Sequence, residues 1–219
     1  MVDILEKTEA PPEIYFDTFE EWQKWAVKQE ESTEWVNGKV IWVHRDSEGN
    51  IVGTKYVHNR LILFLARVLQ GWLERIENAG QILGPEFVMS TEARPSGREP
   101  DLLFIAPENG ERIRETFLDG PADLVIEIMS PESIDRDRDD KFFEYQAAGI
   151  REYWLIDPET RGSLFFRLNE QGVYVRIEPT GGTFVSEVIP GFSLRPEWFW
   201  QASLPMMIDV ERFWNERIS

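Results

Sequence analysis

The stretch DLVIEIMSPESIDRDRDDKFFEYQAAGIREYWLID, residues 123–157, decides the fold. It opens on an aliphatic, β-branched run dense enough for a strand buried on both faces. A polar, charged segment follows, then a helix ending near Gly149, then a second strand in EYWLID. Strand, helix and strand in that order predict two parallel neighbours joined by a right-handed crossover.

Glu127 interrupts the first run. On a strand Val125, Glu127 and Met129 share one face while Ile126 and Ile128 share the other, so the carboxylate can point into a cleft as its neighbours pack. A carboxylate among buried aliphatics is costly unless it is paired or holds a cation. Two explanations follow: a buried ion pair to a lysine or arginine, or a metal ligand.

Working outward, the spacing of Phe16, Phe19, Trp22, Trp25 and Ala26 predicts a short amphipathic helix packed on the body. TEWVNGKVIWV, with Asn37-Gly38 between two apolar runs, predicts a hairpin. In KYVHNRLILFLARVLQGWLERIENAG apolar residues recur through Leu61, Phe64, Leu65, Val68, Leu69, Trp72, Leu73 and Ile76, predicting a helix that stops near Gly80. The period then changes to two. PEFVMSTEAR and EPDLLFIAP, joined across Pro95-Ser96-Gly97, predict an antiparallel pair. Residues 108–120 form a connecting excursion. After the decisive stretch, SLFFRL, VYVRIEP and TFVSEVIPGFSL predict an antiparallel edge closing the sheet.

A chain of 219 residues with 42% hydrophobic content supports one core. The expected organisation is an acidic N-terminal segment with a short helix at 1–33, a main domain at 34–195 and an aromatic-rich tail at 196–219. No apolar run approaches the roughly 20 residues of a membrane span, and the N-terminus has neither a basic nor an apolar signal region, so a cytoplasmic protein is expected.

The absence of cysteine excludes disulfides, thiolate nucleophiles and zinc-cysteine sites, and only His44 and His58 offer imidazoles. A metal site must therefore rest mainly on carboxylates, which suit magnesium, manganese or calcium. The net charge of -17 argues against a general polyanion binder. Residues 1–34 hold ten Asp/Glu and three Lys/Arg, contributing -7 of that total. Lys55, Arg60, Arg67, Arg94, Arg98, Arg136 and Arg138 are either a local basic patch or an ordinary solvated face.

Asp101 follows Pro100 at the start of a strand, a pair that alone marks only a turn or a strand opening. If that strand lies beside the one carrying Glu127, two carboxylates and the Ile128 carbonyl converge on an oxygen site suited to magnesium. Lys141 and Tyr145 are four apart and share a helix face, in a stripe with 137 and 148, whereas Phe142 and Phe143 take packing positions. Lys141 is either solvated, or lies with its stem on apolar surface and its ammonium roughly 3–5 Å from Glu127 or Asp101.

At these residues the sequence resembles the Uma family of restriction endonucleases, within the PD-(D/E)XK superfamily. The resemblance runs from about Glu34, through the helix opening at His58, to Phe192. It is densest in EPDLLFI, GPADLVIEIMSPES, DRDDKFFEYQAAGIREYWLID and VIPGF. It implies an α/β (α+β) fold of restriction endonuclease type: a four-stranded mixed core sheet flanked by helices, with an added N-terminal helix and hairpin and C-terminal antiparallel strands.

The resemblance also implies an acid pair at Asp101 and Glu127 and hydrolysis of nucleic-acid phosphodiesters, DNA first, with Mg2+ or Mn2+. A homodimer would bring two sites to a duplex, and the aromatics Trp198, Phe199 and Trp200 suggest a surface for it. One departure stands out. The lysine expected two residues after Glu127 is Met129, and the resemblance places it at Lys141 instead. His58 and Glu86 resemble recurrent polar positions and are read as structural. Two other readings remain: an idle nuclease fold serving as an interaction module, and a carboxylate-pair glycosidase, disfavoured because that chemistry needs no lysine here.

Overall fold

The computed structural model describes residues 12–43, 55–129 and 140–218. In chain order the elements are α1 (Phe19–Ala26), β1 (Thr33–Val36), β2 (Lys39–Trp42), α2 (Tyr56–Arg75), β3 (Gln81–Leu83), β4 (Val88–Thr91), β5 (Ser96–Arg98), β6 (Leu102–Ile105), β7 (Phe117–Leu118), β8 (Leu124–Ile128), α3 (Lys141–Ala148), β9 (Glu152–Asp157), β10 (Gly162–Leu168), β11 (Tyr174–Ile177), β12 (Phe184–Val185), β13 (Ser193–Leu194) and α4 (Met207–Ile218), with short 3-10 helices at Pro107–Arg112 and Pro196–Trp200.

The main sheet runs β11-β10-β9-β8-β6-β3, and β8 and β9 are its parallel pair. It is mixed, as expected: β9-β8-β6-β3 make the four-stranded core, and the C-terminal antiparallel strands β10 and β11 extend one edge. Alternation along β8 sorts its side chains as the sequence implies. Leu124, Ile126 and Ile128 join the core under α2 with Leu61, Leu65 and Trp72, while Val125 and Met129 join the core under α3 with Tyr145 and Ile150. Glu127 falls on the α3 side, which is what puts a carboxylate under that helix.

A second sheet, β2-β1-β5-β4-β7, carries its own small core of Trp22, Trp35, Val40 and Val88 under α1. Its hairpin turns on Asn37 and Gly38, at φ 48° and 91°, the left-handed pair that an Asn-Gly hairpin needs. Here the expected pairing is corrected. The partner of β4 is β5, whereas the LLFI strand β6 belongs to the main sheet between β3 and β8. Ser96 and Gly97 are strand residues rather than a turn: a Cβ at Gly97 would run into the Trp22 ring, so the glycine serves close packing, and the exposed residues 92–95 make the turn.

Helix α2 ends at Arg75, short of the expected Gly80, because Glu77 takes a left-handed φ of 52° and ends the helix without a glycine. Ile76, at the cap, still packs on the core and so extends the apolar period past the helix. On α3, Phe142 packs against Phe166 and Tyr174, but Phe143 is half exposed, contrary to its expected packing position.

Residues 196–218 close the main core. Trp198 meets Phe64 edge-on at 6.4 Å and Trp214 meets Trp72 at 4.9 Å. With Trp198 and Phe199 buried in their own chain, these aromatics supply no exposed patch for a second copy. No helix among the described residues is long and apolar enough to cross a membrane.

Candidate active site

Glu127 is buried in the middle of β8, 3% exposed. From the overlying helix Lys141 brings its ammonium 2.9 Å from Oε1, and the Tyr145 hydroxyl donates to the same oxygen at 2.7 Å. The i, i+4 spacing on α3 thus delivers both side chains to one carboxylate. Lys141 is itself 4% exposed, which rules out the solvated alternative. Of the expected stripe, position 137 lies outside the described residues, as do His44, Arg136 and Arg138.

Asp101 sits one residue before β6. Leu102 pairs with Ile126 and Leu103 with Val125, so extending the antiparallel register puts Asp101 opposite Glu127 and Pro100 opposite Ile128. Proline has no N–H, so it cannot continue the ladder to the Ile128 carbonyl. The Asp101 side chain takes over the other half of that pair, its Oδ2 accepting the Ile128 N–H at 2.7 Å. The N–H and C=O of one strand residue face the same neighbour, so the Ile128 carbonyl also faces the Asp101 side. His58, from the first turn of α2, places Nε2 3.2 Å from Asp101 Oδ2.

A buried polar network extends from this centre into the second sheet. Glu34 on β1 lies 3.6 Å from the Lys141 ammonium, accepts from the Glu99 N–H at 3.2 Å and pairs with Arg98 at 2.9 Å. Arg98 forks onto Glu144 of α3, with NH2 at 2.7 Å and Nε at 3.1 Å from both oxygens, and the Ser96 hydroxyl donates to the same carboxylate. Arg98 therefore leaves the candidate basic patch: it is 1% exposed and belongs to the interior.

Sequence reasoning missed Glu34, Arg98 and Glu144. The available signal was register, because 34 and 98 are opposed across β1 and β5 and form an opposite-charge cross-strand pair. Of the other basic candidates, Lys55 pairs with Glu159 at 3.6 Å, and Arg60 and Arg67 donate to the carbonyls of Gln201 and Pro205. Arg94 is exposed.

The titrating groups record this crowding. Burial pushes the Tyr145 hydroxyl well above its ordinary range, reinforced by the charges of Glu127 and Glu34, so it keeps its proton and acts as a donor. Burial lowers the His58 imidazole, but the hydrogen bond and charge of Asp101, with Glu127, leave it raised overall. Glu99 is pushed up to about 8, first by burial and then by the charges of Glu34 and Glu86.

An acid whose folded value exceeds its unfolded one binds more protons when folded, so its contribution to stability is lost as pH rises from the usual 4.5 through about 8. Wild type should lose melting temperature relative to Glu99→Gln across that window. Parallel pH profiles for the two proteins would contradict the assignment. Glu86 itself is exposed, with a left-handed φ of 68°, and acts on Glu99 through its charge.

Asp101, Glu127 and the Ile128 carbonyl are hard oxygen donors of the kind magnesium or manganese takes. Two observations fit such a cation: Pro100 leaves that carbonyl unclaimed by β6, and the buried side chains Glu34, Glu127 and Glu144 outnumber the cations Arg98 and Lys141. Among the described residues no group of three or more His, Asp or Glu side chains is placed to hold a metal ion.

The chain matches the family Uma2, "Putative restriction endonuclease", over residues 16–197. No curated protein matches. Among solved structures, a putative nuclease belonging to DUF820 from Anabaena variabilis ATCC 29413 is similar, with a TM-score of 0.66 and 16% identity over 84% of this chain and 97% of that one. That likeness establishes a shared fold.

Proposed function

The chain belongs to the Uma2 family, and on that premise we propose that it is a metal-dependent nuclease whose centre is Asp101, Glu127 and Lys141. The reading is supported most by one observation: Lys141, twelve residues beyond the position expected for it, reaches Glu127 at 2.9 Å from the neighbouring helix. A lysine that has moved along the sequence can still serve if its ammonium reaches the acid pair.

In this reading Asp101, Glu127 and the Ile128 carbonyl hold Mg2+ or Mn2+. When bound there, such a cation supplies polarisation of a phosphodiester and a lowered pKa for water. The Ile128 N–H holds the Asp101 carboxylate in place. Tyr145 and Lys141 fix Glu127 from above. The ammonium, standing beside the acid pair, orients the attacking water or steadies charge as it develops on the phosphate. The substrate is nucleic acid, with DNA the class expected first.

A second reading, an idle fold kept as an interaction module, draws on the buried Lys141–Glu127 ion pair and on the net charge of -17. Melting with metal separates the two. Carboxylates gathered in one cleft repel until a cation joins them, so millimolar Mg2+ or Mn2+ should raise the melting temperature of wild type but not of Asp101→Asn. Unchanged melting in both proteins would favour the idle module.

A further inference from the structure

The nuclease reading uses residues from the main sheet and from α3, yet helix α2 also delivers a side chain to the same place from the opposite face of the sheet. His58 Nε2 lies 3.2 Å from Asp101 Oδ2, the same carboxylate oxygen that accepts the Ile128 N–H at 2.7 Å. It therefore touches the Asp101 carboxylate assigned to the cation, on the oxygen that Ile128 also binds. Nδ1 is buried and has no hydrogen-bond partner among the described residues. A histidine kept for packing usually satisfies both nitrogens. Here the ring is engaged through the nitrogen that faces Asp101.

The donor set has room for such a ligand. Oε1 of Glu127 already accepts from Lys141 and Tyr145. A donor from the α2 face complements Asp101 and the Ile128 carbonyl without disturbing the α3 side.

We propose, resting on the nuclease reading, that His58 is a ligand of the cation at Asp101, and that this nitrogen donor makes the site favour Mn2+ over Mg2+. Imidazole suits transition metals, whereas Mg2+ prefers oxygen and keeps its waters. On ligation Nε2 loses its proton to water and Nδ1 keeps its own. Imidazole and carboxylate stand side by side, 3.2 Å apart.

The test uses Mn2+ alone, titrated into the full chain and followed by electron paramagnetic resonance, with spin-echo modulation reporting 14N nuclei bound to the ion. Only His44 and His58 can give an imidazole signal. The expected result is 14N modulation in wild type that survives His44→Gln and vanishes in His58→Gln, with Mn2+ affinity in the latter falling about tenfold or more and Mg2+ affinity falling less. If Mn2+ binds in a manner that Asp101→Asn abolishes, yet shows no 14N modulation or keeps it in His58→Gln, the inference is overturned and the nuclease reading stands. If wild type binds no Mn2+, or Asp101→Asn binds it equally well, both fall together.

Discussion

Arg98→Met is expected to lower the melting temperature by roughly 6–20 °C. Removing one partner of a buried ion pair costs about 3–5 kcal/mol, and each kcal/mol is worth about 2–4 °C in a chain of this length. The cost arises because Arg98, almost wholly buried, satisfies Glu34 on β1 and Glu144 on α3 at once. Methionine fills much of the volume but takes from both buried carboxylates the guanidinium they share. Arg98→Met combined with Glu34→Gln and Glu144→Gln should therefore recover most of the loss, since neutral partners carry no buried charge. A fall of under about 3 °C for the single variant would mean that the network is not a unit.

Lys141→Met should reduce hydrolysis by on the order of a hundredfold or more, the usual effect of losing one electrostatic stabiliser. From the sequence alone, Lys141→Ala is expected to leave folding nearly intact. The structure argues otherwise, because the ammonium lies between Glu127 at 2.9 Å and Glu34 at 3.6 Å in the interior. A loss of stability of about 3–5 kcal/mol is expected as well. Rates must be compared below the melting transition of the variant. Mn2+ binding should persist, since the variant retains Asp101, Glu127 and the Ile128 carbonyl. A folded variant cleaving as fast as wild type would remove Lys141 from the mechanism.

What was legible in the sequence was local. A carboxylate inside an aliphatic run marks Glu127 whatever surrounds it, and i, i+4 spacing marks Lys141 and Tyr145 as companions. The pair Pro100-Asp101 could be placed at a strand start, but its use could not be read: proline interrupts the ladder to Ile128 and the aspartate completes it, a fact of register with β8. Glu34 and Arg98 lie 64 residues apart and meet because β1 and β5 pair. No local pattern carries such a contact, and the REP segment around Arg98 reads as the end of a turn. Gly97 misled for the same reason, since a glycine needed for close approach to Trp22 looks like one needed for a bend. His58 stands at the start of a helix whose apolar stripe begins at Leu61, so periodicity gives it no role and the contact with Asp101 does.

The most direct test of the central claim is cleavage of supercoiled plasmid, linear duplex, single-stranded DNA and RNA by wild type beside Asp101→Ala, each with Mg2+, with Mn2+ and with chelator. Wild type is expected to cleave at least one of these forms, chelator to stop it, and Asp101→Ala to leave the same substrate intact. No cleavage of any form by folded wild type, or equal cleavage by Asp101→Ala, would contradict the claim.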